Sequence, residues 1–179
     1  MSGETDIASL NRVFHRLALV DTTSKFVAVL DKLLPRLLKR VGENKDPAIH
    51  SKLVEIFGHI LKRVRNDTEC RLPCLALLQQ LTSDHDADDD DSALPTASTN
   101  VDALTFNLSL TFLTVGMPRA TANECLDVLP LLLVLLDSTL SHKQQHSQIA
   151  HLLLNCIETL VNKEKDLTET LATLTKARA

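Results

Sequence analysis

Three sets of side chains in this chain have types and spacings that invite a chemical reading. Cys70 and Cys74 stand four apart, while Cys125 and Cys156 stand alone. No C-x-x-C pair occurs, and a zinc site would need a second pair at matching spacing. The cysteines therefore read as small buried hydrophobes in a reducing compartment. The run DHDADDDD opens like a calcium loop, with Asp84, Asp86 and Asp88 at alternate positions. Its sixth position is Asp89 where a sharp turn needs Gly, and its twelfth is Pro95 where a bidentate Glu is required. His142 and His146 share one face of a helix start at zincin spacing, but Lys143, Gln144 and Gln145 stand between them, with no Glu to act as base.

The phosphate-binding and nucleophile-elbow motifs, G-x-x-x-x-G-K, G-x-G-x-x-G and G-x-S-x-G, are absent, and four glycines leave little room for them. No nucleophile, base and oxyanion donors come together along the chain. The expectation is a non-enzymatic protein with no catalytic, cofactor-binding or metal-binding residues.

If chemistry is lacking, the scaffold carries the information. The chain has 179 residues, 44% of them hydrophobic, with no Trp or Tyr and abundant Leu. Such a composition favours helices over β-structure. Net charge is −4, unevenly divided. Residues 1–78 carry 13 Lys/Arg against 9 Asp/Glu, and residues 79–179 carry 6 against 14. A net +4 in the first part is weak for nucleic-acid binding, and no basic stretch alternates with aromatics. The first residues, MSGETDIASLNRVF, have no basic region leading into an apolar core, so a secretory leader is not expected. The longest apolar stretch, Val128 to Leu136, is too short to cross a bilayer. These features predict a monomeric protein of the cytoplasm and nucleus that neither binds nucleic acid nor inserts directly into a membrane.

Helical periodicity runs through most of the sequence. Ile7, Leu10, Phe14 and Leu17 mark one helix. Thr22, Thr23 or Ser24 caps a second, whose apolar residues are Phe26, Val29, Leu30, Leu33, Leu34, Leu37, Leu38 and Val41. Gly42 is expected to end it. Asp46 and Pro47 read as N-cap and first residue of a third helix, with Ile49, Leu53, Ile56, Phe57, Ile60 and Val64 inward. A short helix follows Pro73. Residues 82–100, rich in Asp, Ser and Thr, read as a solvated, disordered insertion in a single domain spanning 1–179. Helices return at 101–115, from Thr121 or Asn123, at 145–161 and at 163–176, about eight in all.

The step Leu-Pro recurs at 34–35, 72–73 and 129–130. Proline inside a helix costs roughly 3 kcal/mol, so its repetition calls for a structural reason. Aligning Pro35 on Pro130 sets Leu34, Leu37, Leu38 and Val41 opposite Leu129, Leu132, Leu133 and Leu136. Ile49, Leu53 and Phe57 then fall opposite Ile149, Leu153 and Ile157. A period near 40 with two helices per unit predicts an all-α HEAT/armadillo-like solenoid of stacked antiparallel pairs. Leu53, Phe57 and Leu153 are expected between units.

Four stretches go beyond a generic repeat: LNRVFHRLALVDTTSKFVAVLDKLLPRLLKRV, VEIFGHILKRVR, LPCLALLQQL and FNLSLTFLTVGMPR. In this order they resemble the N-terminal end of the proteasome adaptor and scaffold family, large HEAT-repeat proteasome stabilisers. The resemblance covers roughly residues 7–160. Its most specific parts are Leu10 to Phe14 with Arg16 and Leu17, and Gly116-Met117-Pro118-Arg119. It implies a solenoid that binds proteasome subunits of the core and regulatory particles and stabilises or tethers the two. The alternatives are a HEAT-type peptide-binding or transport/trafficking module and a regulatory subunit of a bound enzyme. Lys39 and Arg40, and Lys62, Arg63 and Arg65, close the second and third helices and form the candidate partner-binding rim, the two groups expected to approach each other.

Overall fold

Local signals set most helix ends. In the computed structural model, which describes residues 2–82, 103–140 and 142–177, side chains included for 6–163 and 165 apart from the gaps between those ranges, α1 runs Ser2–Leu19 and α2 Thr23–Glu43. Helix α3 spans Pro47–Asn66, α4 Cys74–Thr82 and α5 Ala103–Gly116. A 3-10 turn, Met117–Arg119, leads to α6 (Ala122–Ser138) and α7 (Lys143–Ala177). Asp46 caps α3 as expected, its carboxylate accepting from Ala48 N at 2.9 Å with Pro47 at the first position. Thr121 caps α6 in a full capping box with Glu124.

The helices form two rows. Helices α1, α3, α5 and α7 touch in succession, and so do α2, α4 and α6. Between rows, α2 packs on α3 and α5, α4 on α5, and α6 on α7. Each helix thus neighbours the one two ahead of it, which makes the chain an all-α solenoid. The end of α2 returns to the start of α1 through the Arg40–Asp6 ion pair, so these two helices run antiparallel.

One continuous core fills the space between rows. Leu53, Ile56, Phe57 and Ile60 of α3 are fully buried, and the Phe57 ring meets Phe112 of α5 edge-on at 5.6 Å. Burying side chains of this size contributes roughly 1.5–3 kcal/mol each relative to exposure. Gly116 ends α5 with a helical φ of −81°, so conformational freedom does not explain it. Space does: a Cβ there would stand 2.7 Å from the Cys74 sulfur and 3.0 Å from Leu72 Cβ.

All three Leu-Pro steps fall on the α2–α4–α6 row, but not in equivalent places. Pro35 and Pro130 lie inside helices, whereas Pro73 precedes α4, its carbonyl accepting from Leu77 N at 3.0 Å. One turn beyond Pro35 a neighbour steps in. With its amide oriented to satisfy both groups, Gln80 of α4 donates to Pro35 O and accepts from Lys39 N, each at 3.1 Å. The bond that proline removes is the one to the Asp31 carbonyl, so Gln80 inserts one turn further on and adds a second irregularity to the helix.

Several expectations need correction. Gly42 does not end α2; it is helical, and the chain leaves the helix at Asn44 with no positive φ among the described residues. Thr22 occupies the N-cap of α2 without a side-chain bond. Thr82 belongs to α4, is buried, and donates to Leu78 O at 3.0 Å; the acidic run at 84–91 lies outside the described residues. The two final helices are one, α7, because no breaker interrupts Val161 to Lys163. In the last pair Leu132 and Ile149 are buried as the alignment reads them, but two aligned positions turn outward. Leu132 and Leu135 are buried on α6 while Leu133 is 50% exposed, and on α7 Leu152 and Cys156 are buried while Leu153 is only partly so and Ile157 is 43% exposed.

Candidate functional site: basic residues at the helix ends

Helix C-termini carry unpaired carbonyls and a partial negative charge, so cations gather there for structural reasons as well as functional ones. The five rim residues divide along that line. Arg40 is taken up by an ion pair with Asp6 of α1. Arg63 reaches across to α1, its guanidinium donating to Leu17 O at 3.2 Å while lying 4.1 Å from the centroid of the Phe26 ring. These two cations hold the bundle together. Lys39 makes only an exposed contact with Glu43 at 3.8 Å, and Lys62 and Arg65 are exposed with no ion pair among the described residues.

Nor do the two groups meet. Arg40 pairs with residue 6 of α1 and Arg63 with residue 17. Eleven residues of helix separate those anchor points by about 16 Å. Consecutive antiparallel helices put their C-termini at opposite ends, so Lys39 stands apart from Lys62 and Arg65.

Around Arg63 the structure assembles a polar knot that the periodicity of the sequence did not reveal. Arg119, from the 3-10 turn, donates to three carbonyls at the end of α3: Val64 O at 2.6 Å, Asp67 O at 3.1 Å and Cys70 O at 3.2 Å. Asp67 receives the hydroxyl of Thr23 at 2.5 Å and the Glu69 N–H at 3.0 Å. Those two bonds, and then the positive charges of Arg119 and Arg63, hold the Asp67 carboxyl below its usual range. The end of α1, the start of α2, the end of α3 and the turn after α5 are thereby tied at one point. The Gly-Met-Pro-Arg stretch was a visible signal. Its acceptors, roughly fifty residues away, were not.

The other candidate groups are placed as follows. His142 stands at the head of α7, its carbonyl accepting from His146 N at 2.9 Å. All four cysteines are buried and free; burial pushes the Cys74 and Cys156 thiols up to about 12, and Cys156 donates to Cys125 O at 3.5 Å. Among the described residues no group of three His, Cys, Asp or Glu is arranged to hold a metal ion, and no helix is long and apolar enough to cross a membrane.

Two rows of helices around a leucine-rich core, with arginines joining helix ends, define an all-α solenoid protein. The model of the family described as "Proteasome component ECM29, N-terminal" matches residues 10–178, and the chain belongs to that family. Among curated proteins it is 23% identical over 153 residues to the human "Proteasome adapter and scaffold protein ECM29", covering 86% of this chain and 7% of that protein. It is 27% identical over 121 residues to the "Proteasome-associated protein ECM29 homolog" of Drosophila melanogaster, covering 66% of this chain and 5% of the relative. The chain thus spans less than a tenth of the relatives it matches. No solved structure matches it.

Proposed function

We propose that this chain is a non-enzymatic adaptor and scaffold segment that binds the 26S proteasome and helps stabilise or tether its core and regulatory particles, in the cytoplasm and nucleus. The observation that carries this reading is the family match over residues 10–178, together with the names of the two relatives. The fold suits the role, since a solenoid offers extended faces to large partners. Within the candidate rim, only Lys39, Lys62 and Arg65 are open to a partner; Arg40 and Arg63 serve the chain itself. Exposed cations of this kind chiefly govern association rate and salt dependence. Affinity purification of the tagged chain from cell extract, read by mass spectrometry, tests the assignment. Proteasome subunits should be enriched over an untagged control; transport factors or a phosphatase core in their place would point to the other readings.

A further inference from the structure

The second helix carries a wider apolar stripe than the core uses. Val29 and Leu33, expected in the core with Leu30 and Leu34, are not enclosed; Val29 is 37% exposed and Leu33 only partly buried. They face α1 across a groove of about 460 Å³, whose floor also includes Val13, Leu17 and Val20. Three cations line the same groove, Arg16 from α1 and Lys32 and Arg36 from α2.

None of the three makes an ion pair among the described residues. Lys32 and Arg36 stand one helical turn apart, a like-charge spacing that weakens a helix unless an anion lies between them. The neighbouring carboxylate on α2, Asp31, does not supply it. Asp31, pushed above its usual range by partial burial and then by the charge of Glu124 of α6, makes no ion pair with either cation among the described residues. The groove therefore combines an apolar floor with uncompensated positive charge.

We infer that the α1–α2 groove receives a short acidic segment of a partner protein, which sets two neighbouring apolar side chains on Val13, Val20, Val29 and Leu33 and its carboxylates on Arg16, Lys32 and Arg36. Charge complementarity selects the acids, and the floor demands the apolar residues. Nucleic acid fits less well, because the groove offers no aromatic ring for base stacking and few cations. This inference stands apart from the proteasome assignment, and its test uses no proteasome.

The probe is a short fluorescein-labelled peptide of alternating Glu pairs and Leu pairs, titrated with the full chain and followed by anisotropy. Saturable binding is expected, weakened by added salt, and lost when Lys replaces Glu or Ser replaces Leu in the peptide. The variant Arg16→Glu/Lys32→Glu/Arg36→Glu should weaken binding at least tenfold. The control Lys39→Glu/Lys62→Glu/Arg65→Glu, with the same change in net charge, should leave it within twofold. Should the first variant fail to fold by circular dichroism, Val29→Asp, at an open position, is expected to show the same tenfold loss. Equal weakening by both triple variants would overturn the site, as would binding of the Ser peptide as tight as that of the Leu peptide. Concentration-dependent dimerisation that the groove variant abolishes would instead identify the occupant as a second copy and overturn the proposed partner.

Discussion

The guanidinium of Arg119 sits 2.6 Å from the carbonyl oxygen of Val64, closing the end of α3 from a turn that follows α5. A charged donor shared among three carbonyls replaces the water that would otherwise satisfy them. Replacing Arg119 with Ala should destabilise the chain by roughly 1.5–3 kcal/mol, with Lys intermediate because it lacks the planar fork. Urea denaturation of the three proteins measures this, and an Ala variant within about 0.5 kcal/mol of the parent would show that the knot contributes little.

Two glycines should respond in opposite directions. Gly58 lies in the middle of α3 with nothing within 4 Å of an added Cβ, so Gly58→Ala is expected to stabilise by roughly 1 kcal/mol through helix propensity. Gly116→Ala would press on Cys74 and Leu72, and overpacking of this kind costs about 1–3 kcal/mol. Thermal melts would show one midpoint rising and the other falling.

Acid sensitivity should trace to Asp67. Its carboxyl is held below the usual Asp range in the folded state, so its contribution is complete above the unfolded-state value and is lost as the pH falls through the lower folded one. The stability difference between the parent and Asp67→Asn should therefore shrink below about pH 4. A difference that stays constant from neutral pH to pH 3 would remove Asp67 from the acid response.

The thiols should be silent in the folded protein. All four are buried, and two are held protonated by burial, so a thiol reagent at pH 8 should label them only on unfolding. Labelling should become complete in denaturant. Rapid labelling of Cys74 in the native protein would contradict the packing around Gly116.

Legibility followed the contrast between faces of each helix. Helix α3 alternates apolar and charged residues cleanly, so Leu53, Phe57 and Val64 could be placed inward from spacing alone, and all are buried. Helix α6 is apolar nearly all round from Val128 to Leu136, which leaves no polar face to orient it. Borrowing the face of α2 by aligning prolines then misplaced Leu133, and the same register misplaced Ile157 on α7. At the helix ends, the cations were visible but their work was not. Arg63 and Arg119 find their partners in other helices, at separations where local sequence carries no signal. Gln80 beside Pro35 belongs to the same class, a tertiary contact that the sequence of one helix does not announce.

Direct binding to purified proteasomes tests the central claim most closely. The recombinant chain, mixed with intact 26S particles and separated by gradient sedimentation, is expected to move with the particles. The Lys39→Glu/Lys62→Glu/Arg65→Glu variant should fold normally and show weaker cosedimentation that depends less on salt than the parent's. Retention of the folded parent chain at the top of the gradient, with core, regulatory particle and whole proteasome alike, would contradict the account.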